Sequence, residues 1–117
     1  MFEIKKENDT AIITIDSTIE RSTIEEIEEF KIQCIKLQDE GIFNIILNME
    51  QVENPPSIFL GTIIVLQNKF KNSEGNIAIA SPTERIRKIF EITKMDRIIG
   101  IYPTQAEALN SLHAKVR

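Results

Sequence analysis

The sequence predicts an α/β domain whose sheet is largely parallel after an opening hairpin. Three observations carry this. Short β-branched runs alternate with apolar patterns of helical period, in the order β-β-α-β-α-β-α-β-α. Ser/Thr-x-x-Glu signatures, the mark of a reciprocal helix cap, stand before three of the helical patterns: Ser22 with Glu25, Ser81 with Glu84 and Thr104 with Glu107. The length of 117 residues, with 42% apolar and 27% charged side chains, corresponds to one domain over 1–117. A chain of that size buries about two thirds of its unfolded surface and needs no disulfide staple.

Taken in order, Phe2 to Lys6 reads as a first strand before the Glu7-Asn8-Asp9 turn. Ala11, Ile13 and Ile15 then alternate with Ile12, Thr14 and Asp16 as a second. Ser22 offers a cap oxygen, and Ile24, Ile27, Phe30, Cys34 and Leu37 follow at helical spacing, predicting a helix from Thr23 to about Asp39 that Gly41 closes. Glu25, Glu26, Glu28 and Glu29 precede Lys31 and Lys36, the order that complements the helix dipole. Phe43 to Met49 is a nearly continuous apolar run, the pattern of a central strand covered on both faces, with Asn44 and Asn48 at its less buried ends. Pro55-Pro56 holds the chain extended, so the second helix starts at or just after Ser57 and runs to about Asn72. Ile77 to Ala80 is the next strand. Pro82 at a first helical position opens a third helix to about Lys94, with Ile86, Ile89 and Phe90 inward. Ile98 to Tyr102 is the last strand, and Thr104 opens a final helix carrying Ala108, Leu109 and Leu112.

Composition removes several classes of function. Fourteen Lys and Arg against eighteen Asp and Glu leave a net charge of −4, which repels nucleic acid and anionic lipid. The first ten residues lack the apolar stretch of a secretory signal, and the longest apolar window, Ile58 to Leu66, is about half of the ~20 residues a bilayer span requires. The expected location is therefore the cytoplasm. One histidine, His113, and one cysteine, Cys34, cannot supply a transition-metal site or a Cys-His or Ser-His-Asp constellation. Glycines at 41, 61, 75 and 100 are too far apart for a phosphate-cradling loop. No metal, cofactor or catalytic group is expected. Cys34 reads as a packed core thiol, and the carboxylates of the first helix and the trio Arg85, Arg87 and Lys88 read as solvated faces.

Ser57 stands apart. The two prolines fix it at the mouth of the second helix, directly after the central strand, where a phosphate would meet free backbone N–H groups and the positive end of the dipole. An unmodified serine there has a simpler use, as the helix cap. On a helical wheel Phe59, Ile63, Leu66 and Phe70 form the core face with Leu60 beside them. Ile58, Thr62, Val65 and Lys69 fall on the opposite side next to Ser57 and Gly61, the composition of a partner-docking patch.

The order of elements, and above all Ser81 to Leu109, S-P-T-E-R-I-R-K-I-F-E-I-T-K-M-D-R-I-I-G-I-Y-P-T-Q-A-E-A-L, resembles the STAS family, named for sulfate transporters and anti-sigma factor antagonists. The matching pattern is a small residue and Pro, a basic apolar helix, a Thr-led turn with Met-Asp, a short strand and an Ala-Leu helix. The resemblance implies a mixed, mostly parallel sheet of four to five strands, with four helices packed mainly on one face and no catalysis. In stand-alone bacterial members the loop after the central strand reads Asp-Ser-Ser-Gly-Leu-Gly, and its first serine is phosphorylated by an anti-sigma factor that is itself a serine kinase. Pro56-Ser57-Ile58-Phe59-Leu60-Gly61 is the corresponding stretch here. Ser57 falls on the phosphorylated serine, and Leu60 and Gly61 keep their places. Pro56 stands for the aspartate, Ile58 for the second serine and Phe59 for the glycine, while Lys94 stands where a glycine is usual before Met95-Asp96.

By that resemblance the partner is an anti-sigma factor or related serine kinase, opposed by a phosphatase. Its site is Ser57 together with Ile58, Phe59, Gly61, Thr62, Val65 and Lys69. Two other readings fit the residues: a constitutive docking or scaffold module in which Ser57 only caps a helix, and a sensor of a small ligand near the second helix.

Overall fold

The structure is a computed structural model that describes the backbone of residues 1–115 and the side chains of residues 1–112; the side chain of His113 lies outside the described residues. A single five-stranded sheet has the order β1-β2-β3-β4-β5, with β1 (Phe2–Glu7), β2 (Thr10–Ile15), β3 (Asn44–Asn48), β4 (Asn76–Ala80) and β5 (Gly100–Tyr102). The opening hairpin is antiparallel, closed by Asn8 at φ 56°, a conformation asparagine tolerates. Every later neighbour is parallel, so each strand from β2 onward returns through a helix. Those helices are α1 (Ile24–Asp39), α2 (Ser57–Asn72) and α3 (Glu84–Ile92), and a fourth, α4 (Gln105–Lys115), follows the last strand.

Strand alternation divides the core in two. Ala11, Ile13 and Ile15 of β2, Ile45 and Leu47 of β3 and Ile77 and Ile79 of β4 point to the face covered by α1, α2 and α3, where they join the main cluster with Phe30, Phe59, Phe70 and Phe90. Ile12, Ile46, Ala78 and Ala80 point the other way and pack under Ala108 and Leu112 of α4. Small residues on β4 bring α4 close to the sheet. Three helices lie on one face and one on the other, and β3, covered by both layers, has no exposed residue. Asn44 and Asn48 at its ends are buried like the rest; the Asn48 amide is accommodated because it donates to Gln105 Oε1 (3.1 Å) and accepts from Glu50 N (3.1 Å).

Two helix starts differ from the sequence expectation, for one reason: the backbone of the serine is already committed to a preceding turn or a neighbouring strand. Ser22 closes a 3-10 turn over Ser17–Arg21 by donating its N–H to Ile19 O, so Thr23 caps α1 instead. Thr23 Oγ1 accepts from Glu26 N (3.1 Å) and Glu26 Oε1 accepts from Thr23 N (2.8 Å), a complete capping box one residue later than Ser22 with Glu25. Ser81 sits at φ 52° and donates its N–H to Tyr102 O, which makes Thr83 the cap of α3 and leaves Pro82 outside the helix. The Thr104 cap is as expected, accepting from Glu107 N (3.1 Å). A second 3-10 turn, Met95–Arg97, delays β5 to Gly100.

Candidate functional site

Because β2 to β5 run parallel, all four helices begin at the same pole of the sheet, beyond the strand ends. Ser57 lies there as the first residue of α2. The cap position belongs to Pro56, extended at φ −61° and ψ 146°, and no side chain caps the helix. Ser57 is thus not the helix cap: it lies one residue inside, and its hydroxyl makes none of the bonds to the free N–H groups that a cap side chain would make. Its side chain is exposed.

Around it the structure keeps part of the predicted patch and removes part. Ile58 is 43% exposed and Val65 49% exposed, both large for apolar side chains, and Gly61 and Lys69 are exposed on the same stripe. A Cβ placed on Gly61 would meet nothing within 4 Å, so this stretch of the stripe is open to an approaching surface. Phe59, in contrast, is fully buried, its ring centroid 5.5 Å from that of Phe30 on α1. It cannot touch a partner, since the first turn of α2 is fastened to the core through this ring. Thr62 is also withdrawn: it is 9% exposed and its hydroxyl donates back to Ile58 O at 2.8 Å. The outward site is therefore Ser57, Ile58, Gly61, Val65 and Lys69.

The loop that delivers Ser57, residues 49–56, and the last residue of β3 before it are tied to four neighbouring elements. Met49 N donates to Ala80 O (3.0 Å), Thr83 Oγ1 donates to Val52 O (3.3 Å), and Asn48 links to α4 through Gln105. The tightest tie comes from Glu20 in the first 3-10 turn. Its Oε2 accepts from both Glu53 N (2.8 Å) and Asn54 N (3.1 Å). These two bonds hold the Glu20 carboxyl below its ordinary pKa, with the Arg21 and Arg85 charges adding smaller pulls in the same direction. Sequence reasoning missed Glu20. The available signal was in the loop: Glu53-Asn54-Pro55-Pro56 has two N–H donors and no local acceptor pattern for them.

Among the described residues no group of three or more His, Cys, Asp and Glu could hold a metal ion, and no helix is long and apolar enough to cross a membrane. Burial pushes the Cys34 thiol up to about 12. A cavity of about 730 Å³ exists at the opposite pole, away from Ser57, lined among others by Phe43, Asn44, Gln67, Lys71, Asn76 and Ile98.

Known proteins share this arrangement. The profile of the STAS domain matches residues 1–108. The TM1081 homolog of Thermotoga neapolitana, provisionally named an anti-sigma factor antagonist, is 34% identical over 77 residues, covering 66% of this chain and 68% of the relative. The crystal structure of the similarly named protein of Thermotoga maritima superposes with a TM-score of 0.81 at 28% identity, over 96% of this chain and 94% of that one. The anti-sigma factor antagonist SpoIIAA of Bacillus, in its unphosphorylated form, gives 0.81 at 15% identity over 97% of both chains, and its phosphorylated form gives 0.74 at 18% over the whole of both. At such identities SpoIIAA speaks for the fold alone. With the profile spanning nearly every element from β1 into α4, the chain belongs to the STAS domain family.

Proposed function

We propose that this protein is a partner-switching regulator of the anti-sigma factor antagonist type: a cytoplasmic binding protein rather than an enzyme. It holds an anti-sigma factor of the serine-kinase class while Ser57 is unmodified and releases it once Ser57 is phosphorylated. One observation carries the reading. The Ser57 hydroxyl is exposed, caps nothing, and stands at the head of an exposed apolar stripe formed by Ile58 and Val65. A phosphoryl group there adds roughly −1.5 to −2 charge units beside apolar surface that a partner must desolvate, so docking weakens. The relatives named as anti-sigma factor antagonists support the partner class.

The test begins with the protein isolated from its native cells under phosphatase inhibition and mapped by fragmentation mass spectrometry. Phosphate on Ser57 whose occupancy changes with growth conditions is the expected result. With the partner that co-purifies, Ser57→Asp should weaken binding and Ser57→Ala preserve it; equal binding by both removes the switch.

Pro56 in place of the family's loop aspartate favours a second reading, a constitutive docking module. In that case Ser57 is unmodified under all conditions, and only an apolar-to-charged change such as Val65→Glu breaks the complex.

A further inference from the structure

The four residues before Ser57 contain two prolines, Pro55 and Pro56, which have no backbone N–H. The segment 53–56 therefore owns two main-chain donors, those of Glu53 and Asn54. Both donate to one atom, Oε2 of Glu20, 33 and 34 residues away in the chain. We infer that Glu20 is the positioning residue of the Ser57 site: its carboxylate fixes the loop at Glu53 and Asn54, and the two prolines carry that placement to the first turn of α2. The functional weight of this assignment rests on the docking role proposed for Ser57, but the clamp itself can be measured without any partner.

The clamp is built to be stiff at both ends. On one side, Glu20 belongs to a turn whose own shape is set locally. Asp16 Oδ1 accepts from Thr18 N (2.9 Å) and from the Thr18 hydroxyl, Asp16 Oδ2 lies 3.5 Å from the amino group of Met1, and Ile19 is fully buried in the core. On the other side, the prolines have φ locked near −65°, so the chain from Asn54 to Ser57 has few internal rotations through which the placement could be lost. The first α2 turn then closes on Pro56: Phe59 N and Leu60 N both donate to Pro56 O, at 3.0 and 3.3 Å. Without Glu20, the two loop donors would turn to water, and between buried Val52, which accepts from the Thr83 hydroxyl, and the first turn of α2 the stretch 53–56 would lose the hydrogen bonds that fix it. An ionised acceptor makes stronger hydrogen bonds than a neutral one, which suits a single oxygen serving two donors.

Amide hydrogen exchange by NMR on 15N-labelled protein tests this, comparing the wild type with Glu20→Ala and Glu20→Gln. The amides of Glu53 and Asn54 should exchange at least about tenfold faster in Glu20→Ala, and those of Phe59 and Leu60 several-fold faster, while Leu47 and Ile79 in the central strands keep their rates. Glu20→Gln retains one carbonyl oxygen able to accept both bonds and should restore most of the protection. A merely structural role would instead accelerate Leu47 and Ile79 as much as the loop. A second readout couples the two residues directly. Ser57→Asp places a carboxylate at a helix N-terminus and should raise the urea midpoint, and that gain should shrink in the Glu20→Ala background but persist with Glu20→Gln. Unchanged exchange at all four loop and helix amides, or a Ser57→Asp gain independent of residue 20, overturns the assignment. Neither outcome bears on whether Ser57 is phosphorylated in cells, so a failure here is distinct from a failure of the switch.

Discussion

The rings of Phe30 and Phe59 meet with centroids 5.5 Å apart and planes inclined at 52°, joining the second turn of α1 to the first turn of α2. Phe2 from β1 stands edge-on to the same Phe30 at 4.9 Å, so the residue two places after Ser57 is locked into the core through an aromatic triad. Core and exposed surface are thereby interleaved along one helical turn: Ile58 outward, Phe59 inward. Phe59→Ala should cost about 3–5 kcal/mol of stability, the usual loss for a buried phenylalanine. Ile58→Ala and Val65→Ala, on the exposed stripe, should stay within about 0.5 kcal/mol of the wild type. Urea unfolding curves of the three variants measure this, and a large loss at Ile58 or Val65 would mean that the stripe is packed and not free to dock.

Lys94 adopts φ 62°, a left-handed conformation that disfavours side chains with a Cβ. It caps the 3-10 turn Met95–Arg97 with no side-chain hydrogen bond to compensate. The side chain is exposed, so nothing is lost in packing when it is removed. Lys94→Gly should therefore stabilise the protein by about 0.5–1 kcal/mol, the left-handed strain relieved less the extra freedom of glycine in the unfolded chain. A thermal melt that moves downward would show that the lysine contributes more than its backbone costs.

This position also marks how far the sequence could be read. The glycine usual in the family at position 94 is a backbone requirement written as a residue type, and the requirement persists under a lysine. The order of strands and helices was legible because each element carries its own period: alternation in Ala11 to Asp16, the 3.6-residue spacing of Ile27, Phe30, Cys34 and Leu37. The solvent stripe of α2 was legible for the same reason, and Ile58, Val65 and Lys69 are where the wheel places them. Cap identities were not, because which hydroxyl caps a helix depends on where the backbone before it is tied, as at Ser22, whose N–H bonds Ile19 O, and Ser81, whose N–H bonds Tyr102 O. The withdrawal of Thr62 follows from a back-bond to Ile58 O, which no pattern announces. Glu20 was hidden for the simplest reason: its partners lie more than thirty residues away, and an acidic residue in a polar turn looks the same whether it clamps a loop or faces water.

Cys34 sits on the inner face of α1 with no exposed surface, and desolvation raises its pKa to about 12. The reactive species of a thiol is its thiolate, which is then nearly absent at neutral pH. Cys34 should give no reaction with a disulfide reagent such as DTNB at pH 8 in the folded protein and one full equivalent in urea. Reaction at the rate of a free thiol under native conditions would place α1 in rapid local opening.

Acid should loosen the Ser57 pole ahead of the core. The Asp16 carboxyl lies below its ordinary 3.8, chiefly through the hydrogen bond from the Thr18 hydroxyl and then that from Thr18 N. Glu20 lies below its ordinary 4.5 through the N–H groups of Glu53 and Asn54. For a carboxyl whose folded pKa is depressed, the unfolded state binds protons first on acidification. Its contribution is therefore complete above the ordinary value and is lost as pH falls through that value towards the lower folded one. Both groups are solvent-facing, so the effect at each is modest and falls with added salt. The wild type should lose stability from about pH 5 downward. An Asp16→Asn, Glu20→Gln double variant, which has no proton to take up at either position, should show a shallower slope over the same range. Urea midpoints measured at half-unit steps between pH 3 and 7 give both slopes. Equal slopes would place the acid sensitivity on other carboxylates and leave Asp16 and Glu20 as hydrogen-bond acceptors whose charge is immaterial to folding.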